Sequence, residues 1–350
     1  MNYSSIPRVV RATLAYILLY VLSFGVIGSL FSPPRSPHGS IPWIEHIIIF
    51  LSFIYLARYF IYTMISPWYD VRWEIWRAKN QQQLKEYKPK VSVIIPEWNE
   101  EVGLLSTVKS VLQSTYENLE VVVINDGSTD HSDNVMRVFL EHRELYKHEI
   151  SKTLQYHYKE NGGKGSALNK GIELASGDII ITIDADCIVR KDAIQNFIAH
   201  FIDPAVMAAV GNVKIENTSS FLGTLQYLEF LFSFYFKRAD SVLGSIYIIG
   251  GAAGAFRKEV FEKIGYYSQG NITEDIELTI RIQKAGLKIV YAADAIVYTE
   301  GANDVQGLLK QRLRWKRGRI DAFVQYKNLF LVQNRSIIKF LLGSFFPSLF

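Results

Sequence analysis

Ile179-Ile180-Ile181-Thr182-Ile183-Asp184-Ala185-Asp186 is an almost wholly apolar run that ends in two carboxylates one residue apart. Such a run predicts a strand buried on both faces, of the kind that fills the middle of a parallel sheet. Ligands of open α/β sheets bind outside the carboxyl ends of strands, so Asp184 and Asp186 would reach a rim suited to phosphate and a divalent metal. A plainer reading, a strand closed by a turn-forming Asp pair, stands beside it until the flanking pattern decides.

Outward from that run the pattern is alternating. Residues 91–95 form a strand closed by Pro96, 104–112 a helix, 119–124 a strand, 132–146 a helix, 154–158 a strand and 165–175 a helix. The expectation is a doubly wound α/β layer. Farther on lie apolar residues 207–213, an aromatic segment 221–242, and Gly250-Gly251-Ala252-Ala253-Gly254, where the backbone must turn tightly or admit a ligand. Asn271-Ile272-Thr273-Glu274-Asp275 opens a helix running to about 285 and closed by Gly286. A last helix, 305–320, carries Gln311, Arg314 and Trp315 on one face.

Composition divides the 350 residues unevenly, since the first part is apolar and aromatic while the rest is mixed. The single cysteine, Cys187, excludes an intrachain disulfide. A net charge of +4, with basic residues near apolar segments, points to a membrane surface before nucleic acid. Residues 12–31 and 44–66 are each long enough to cross a bilayer, at roughly 20 residues, and read as a helical hairpin. Arg8 and Arg11 before it, and Arg72, Arg77 and Lys79 after it, place both flanks inside; a cell-membrane protein with a cytoplasmic catalytic domain is expected. The expected domains are this hairpin with an interfacial segment (1–79), a soluble α/β domain (80–300), and an interfacial helix with the start of a C-terminal membrane region (301–350). Residues after 336 are apolar but short for a span.

Each candidate site has a bland alternative. Asn125-Asp126-Gly127-Ser128 follows a buried strand, where a carboxylate could accept from a base or ribose; it is also an ordinary Asp-Gly turn. Asn161-Gly162-Gly163-Lys164-Gly165 could bring amides and a lysine to a diphosphate, although it is no Walker A loop. In Thr273-Glu274-Asp275, Thr suits an N-cap and the acids suit the helix dipole. The segment from Lys310 to Arg319 is equally a basic amphipathic helix on anionic lipid.

Taken together and in order, Asn125-Asp126-Gly127-Ser128, Asp184-Ala185-Asp186, Thr273-Glu274-Asp275 and Gln311-x-x-Arg314-Trp315 behind a membrane hairpin resemble the inverting family 2 glycosyltransferases of processive membrane type, which make cellulose, chitin, hyaluronan and poly-N-acetylglucosamine. The resemblance covers about 91–319. It implies a GT-A, Rossmann-like nucleotide-diphospho-sugar transferase fold with C-terminal amphipathic or membrane helices. It also implies that Asp126, Lys164 and Asp184 bind a UDP-sugar, that Asp184 and Asp186 hold Mg²⁺ or Mn²⁺, and that Asp275 is the base with Glu274 its neighbour. Gln311, Arg314 and Trp315 would line the diphosphate and acceptor end. The Lys164-Gly165-x-Ala167-Leu168-Asn169 loop resembles the N-acetylglucosamine polymerases, so that sugar is the expected donor group. Trp98 stands where Tyr is usual, and the C-terminal membrane helices of a secreting synthase are largely missing.

Three readings follow: a synthase extending a polysaccharide and coupled to its export, a transferase adding one sugar to a lipid-linked or short glycan acceptor, and a silent scaffold of an export complex. Expected partners are the UDP-sugar, the glycan acceptor, membrane lipid and an accessory membrane subunit, with no nucleic acid.

Overall fold

The computed structural model describes residues 42–143, 152–270 and 273–326, which fall into two compact units. In the smaller unit, helix α1 (Pro42–Lys79) groups with Tyr235–Leu243. Tyr62 Oη donates to Asp240 Oδ1 at 2.8 Å, Arg238 pairs with Asp70 at 3.3 Å, and the Arg58 guanidinium lies 4.7 Å over the Tyr62 ring. The first expected membrane helix, 12–31, and the apolar tail after 336 lie outside the described residues. The second expected span, 44–66, begins α1, which continues unbroken past residue 66 to Lys79. Among the described residues no helix is long and apolar enough to cross a membrane. Arg58 interrupts the apolar run of α1, and from Asp70 to Lys79 its sequence is mixed in charge.

The larger unit, Gln82–Phe234 with Gly244 onward, holds one eight-stranded sheet. Its elements, after a short helix α2 (Gln81–Glu86), are β1 (Val91–Glu97), α3 (Leu104–Leu112), β2 (Leu119–Asp126), α4 (Ser132–Arg143), β3 (Thr153–Lys159), α5 (Lys164–Leu174), β4 (Ile179–Thr182), β5 (Cys187–Val189), α6 (Ala193–His200), β6 (Val206–Ile215), α7 (Phe221–Leu243), β7 (Gly254–Arg257), α8 (Lys258–Ile264), α9 (Glu274–Lys284), β8 (Lys288–Thr299) and α10 (Val305–Gln325). The strand order is β3-β2-β1-β4-β7-β6-β8-β5. β3, β2, β1 and β4 are mutually parallel, β7 is antiparallel to both its neighbours, and β5 runs antiparallel to β8 at the edge.

β1, β2 and β4 are buried at every residue, as near-continuous apolar runs should be when helices cover both faces. The central run stops earlier than its sequence suggests: the strand ends at Thr182, and a turn closed by Cys187 N on Asp184 O, 3.2 Å, carries the two carboxylates. The chain then crosses to the far edge and restarts as β5. Three strands lack a counterpart in the sequence reading: β5, β7 and the twelve-residue β8.

The amino-end edge of the sheet is fastened by one carboxylate. Glu120 of β2, 2% exposed, accepts from Ser92 Oγ of β1 at 2.5 Å and from Ser176 N and Oγ at 2.7 Å each, and pairs with Lys90 at 3.3 Å. Burial alone would raise its pKa, but the bonds from Ser92 and Ser176 outweigh burial and hold the carboxyl below its ordinary 4.5. Glu120→Ala leaves Ser92 and Ser176 without their acceptor, and thermal or urea unfolding should show a loss of about 2–4 kcal/mol near pH 7. Because the folded pKa is depressed, the contribution is present above about pH 4.5 and lost as pH falls through the folded value. A deficit that persisted undiminished at pH 3 would refute this assignment.

Candidate active site

The strand order reverses between β1 and β4, which makes their carboxyl ends the topological switch point of the parallel half. Asp184 and Asp186 leave β4 at that point. Thr107 Oγ1 of α3 donates to Ala185 O at 2.7 Å and fixes the turn between them. Lys164, the first residue of α5, reaches Asp184 Oδ1 at 2.6 Å and Glu274 Oε1, at the start of α9, at 3.7 Å. Three motifs far apart in sequence are thus joined by one ammonium group.

Charge decides how these groups titrate. Burial disfavours the cationic form of Lys164, yet Asp184 and Glu274 outweigh it and push its pKa well above the ordinary lysine value. Asp275 moves from 3.8 to about 6, because burial and then Glu274 raise it while Lys164 pulls it back. Asp186 is raised by burial and by Asp184. Glu100, just past β1, is raised to about 6 by burial and by Asp186.

Thr273 does not act as the expected N-cap, for its side chain makes no capping hydrogen bond. It packs instead on α10, where a Cβ added to Gly318 would lie 2.2 Å from Thr273 Oγ1. Gly251, in the glycine-rich loop before β7, is a second close approach: a Cβ there would lie 2.8 Å from Lys164 Nζ and 3.3 Å from Asp184 Oδ1. At 250–254 the loop thus passes close to Lys164 and Asp184.

Asp126, 2% exposed at the end of β2, accepts through Oδ1 from Lys159 Nζ and from Gly162 N at 3.0 Å. Lys164 was expected near the uridine or the diphosphate; the lysine on Asp126 is Lys159, and Lys164 belongs to the Asp184 side. Lys159 and Glu97 are absent from the sequence reading. Both were findable, because the parallel register sets Lys159 directly across from Asp126, and Glu97 across from Asn125.

The α10 residues are brought only partly to this site. Gly318 and Ala322 are buried, Gln311 and Trp315 are half-buried, and Arg314 is exposed. The Arg312 guanidinium stacks 4.4 Å over the Trp315 ring and pairs with Glu229 of α7 at 2.5 Å. Among the described residues, no hydrogen bond or ion pair links Gln311 or Arg314 to Asp184, Glu274 or Asp275.

Asp184 and Asp186 suit a hard divalent cation, which takes carboxylate oxygens and keeps several ligand positions for water and phosphate. Among the described residues no group of three or more His, Cys, Asp or Glu could hold an ion. The protein would therefore supply these two carboxylates, and the rest of the shell would come from diphosphate and water.

Residues 89–318 match the family model described as glycosyltransferase like family 2, and the chain belongs to that family. It is 34% identical over 230 residues to the poly-beta-1,6-N-acetyl-D-glucosamine synthase of Staphylococcus aureus (strain COL), a match covering 65% of this chain and 54% of that protein. The synthase of the same name from Staphylococcus epidermidis is 31% identical with the same coverage. The match thus spans about half the length of these curated relatives. Among solved structures, a mannosyltransferase from Pyrobaculum calidifontis in complex with GDP-Man and Mn²⁺ superposes with a TM-score of 0.59, at 20% identity and 81% coverage of both chains. That likeness concerns the fold, which is of the GT-A type.

Lys164→Met tests whether the ammonium group is what allows these carboxylates to share the rim. With 39% of the lysine side chain exposed, solvent screening keeps the expected cost to about 1–2 kcal/mol at pH 8. Without the cation the carboxyls take up protons more readily in the folded state, so the deficit should shrink between pH 8 and pH 5. An equal loss of melting temperature at both pH values would show that Lys164 stabilises by packing alone.

Proposed function

We propose that the chain is an inverting glycosyltransferase that moves a sugar, N-acetylglucosamine, from its UDP donor to the end of a growing polysaccharide. The observation that carries this reading is the Lys164 bridge, which gathers Asp184, Asp186, Glu274 and Asp275 at the switch point of a sheet whose neighbouring strand end presents Asp126. The likeness to the two staphylococcal poly-beta-1,6-N-acetyl-D-glucosamine synthases supports the choice of sugar and the polymeric acceptor.

In this reading Asp126 and the loops around it take the nucleoside, with Lys159 fixing the Asp126 side chain from β3. A divalent ion, Mn²⁺ or Mg²⁺, bound by Asp184 and Asp186 would offset the charge that builds on the departing diphosphate. Asp275 takes the proton of the attacking acceptor hydroxyl as the new glycosidic C–O bond forms and the bond from the anomeric carbon to the diphosphate breaks, with inversion. A carboxyl near pKa 6 is mostly ionised at pH 7 yet more basic than an ordinary aspartate, which is what general-base catalysis at neutral pH favours. Gln311, Arg314 and Trp315 of α10 serve the diphosphate and acceptor end.

A membrane-surface location, with the catalytic domain on the cytoplasmic side, belongs to the same proposal. Val305, Leu309, Leu313, Ile320 and Val324 form an exposed apolar stripe along α10, flanked by Lys310, Lys316 and Arg317, and Phe221 and Phe232 are exposed on α7. The Arg312–Glu229 pair ties these two helices together. The full chain should float with vesicles containing anionic lipid, and the pair of changes Leu309→Glu and Leu313→Glu should reduce flotation severalfold; unchanged flotation of the variant would remove α10 from the membrane contact.

The decisive test of the reaction is Asp275→Asn, which preserves shape and cannot take a proton. Turnover of UDP-N-acetylglucosamine should fall about 10²–10⁴-fold while UDP affinity stays near that of the parent protein. For the parent, kcat/KM should decline as pH drops through about 6, since protonation removes the base. Removing the charge beside Glu274 should leave the melting temperature at pH 8 equal or higher. Retained turnover with a lowered melting temperature would make Asp275 a structural residue and sink the assignment.

A further inference from the structure

We propose that Glu97 is a positioning residue for donor binding, fixing through Ser128 the loop after β2 in the shape that receives the nucleoside. The inference rests on the glycosyltransferase reading above. Glu97 is the last residue of β1, only 2% exposed, and lies across from Asn125 in the β1–β2 register. Its Oε2 accepts from Ser128 Oγ at 3.0 Å, and its enclosed Oε1 has no hydrogen-bond partner in the structure. Ser128 faces both ways: its N–H donates to Asn125 Oδ1 at 2.8 Å, and its Oγ accepts from Asn99 N at 2.9 Å.

Above this bond the two loops at the ends of β1 and β2 are stitched into one platform. Asn99 adopts a left-handed backbone with φ 56°, which turns its side chain to accept from Thr129 N at 2.8 Å. Glu100 N donates to Ser132 Oγ at 3.0 Å, Glu101 N to Asp130 Oδ2 at 3.1 Å, and His131 N to Glu101 Oε2 at 2.9 Å. All of these bonds but the one to the buried Ser132 are exposed; Glu97 is the carboxyl beneath them. Asn125 and Asp126 are the residues whose placement this platform sets.

A half-satisfied buried carboxyl is costly, and an apolar side chain would fill the same space without that cost. Such a side chain would offer Ser128 no acceptor. Burial, Asp130 and Glu100 raise the Glu97 carboxyl to about 7 against the opposing bond from Ser128; Tyr156 of β3 is the other titratable neighbour. Protonated or ionised, the group keeps one oxygen able to accept from Ser128.

The test uses the full chain, with UDP affinity measured calorimetrically in Mn²⁺ and steady-state kinetics on UDP-N-acetylglucosamine. Glu97→Ala should raise the UDP Kd and the donor KM about tenfold with kcat within about twofold, Ser128→Ala should do the same, and the double variant should be no worse than either single. Glu97→Gln, which keeps an acceptor, should recover most of the loss. An unchanged Kd in Glu97→Ala with a lowered melting temperature would overturn the proposal in favour of packing, as would losses that simply add in the double variant. If Glu97→Ala does not fold, Ser128→Ala and Glu97→Gln decide the matter by the same readouts. Failure of the parent protein itself to bind UDP would overturn the glycosyltransferase reading, whereas UDP binding in the parent that neither residue affects would overturn this inference alone.

Discussion

The arrangement depends on one ammonium group. Asp184, Asp186, Glu274 and Asp275 are acidic groups from two distant parts of the chain, and bringing them to one sheet rim is opposed both by their mutual repulsion and by the loss of water around each. Lys164 contacts one member from each part. It enters from the start of α5, whose position is set by packing on the parallel strands, so the cation is delivered by the fold and not by a flexible surface arm. The incomplete compensation shows in Asp275 and Asp186, whose carboxyls remain above their ordinary values despite the cation. A site left short of positive charge is suited to take up a further cation together with a negatively charged ligand.

The parallel half of the sheet was legible because its segments repeat a simple physical pattern. Runs such as Val91 to Ile95 and Leu119 to Ile124 are apolar at every residue but one, and 104–112 is apolar at helical spacing, so each segment announces its state without its neighbours. The antiparallel half was not legible for the opposite reason. β5 and β7 have three and four residues, too few for a period, and β8 is interrupted by Ala292-Ala293-Asp294. Its pairing with β6 contains register shifts at Val206/Ala208 and Val210/Asn212, which break the alternation that would mark a half-buried strand. These strands exist because tertiary partners are waiting for them, and that information is not local.

The same division runs through the site. The acidic motifs could be read individually, since Asp at strand ends and helix starts is visible in one dimension. Their partners depend on which strand lies beside which: Lys159 meets Asp126 because β2 and β3 are parallel and in register, and Glu97 meets Ser128 because β1 and β2 are. A glycine-rich loop indicates approach to a ligand but not which carboxylate its lysine will meet, and Lys164 meets Asp184. The hairpin expectation rested on hydropathy, which describes a segment's solvent preference; within α1 it located a helix but not where that helix would end.

Helix α10 brings the fold and the site together. Its inner face carries Gly318 against Thr273, the residue before Glu274, and Tyr326, whose hydroxyl donates to Glu277 one turn further along α9. Ile276, Ile280 and Ala322 pack between the two helices. The outer face is the apolar stripe from Val305 to Val324. The close contact at Gly318 therefore places the backbone of α10 directly against the helix start that holds Glu274 and Asp275. Any side chain at 318 would have to push Thr273 aside or lift α10 away, and either movement shifts the carboxyl pair relative to Lys164.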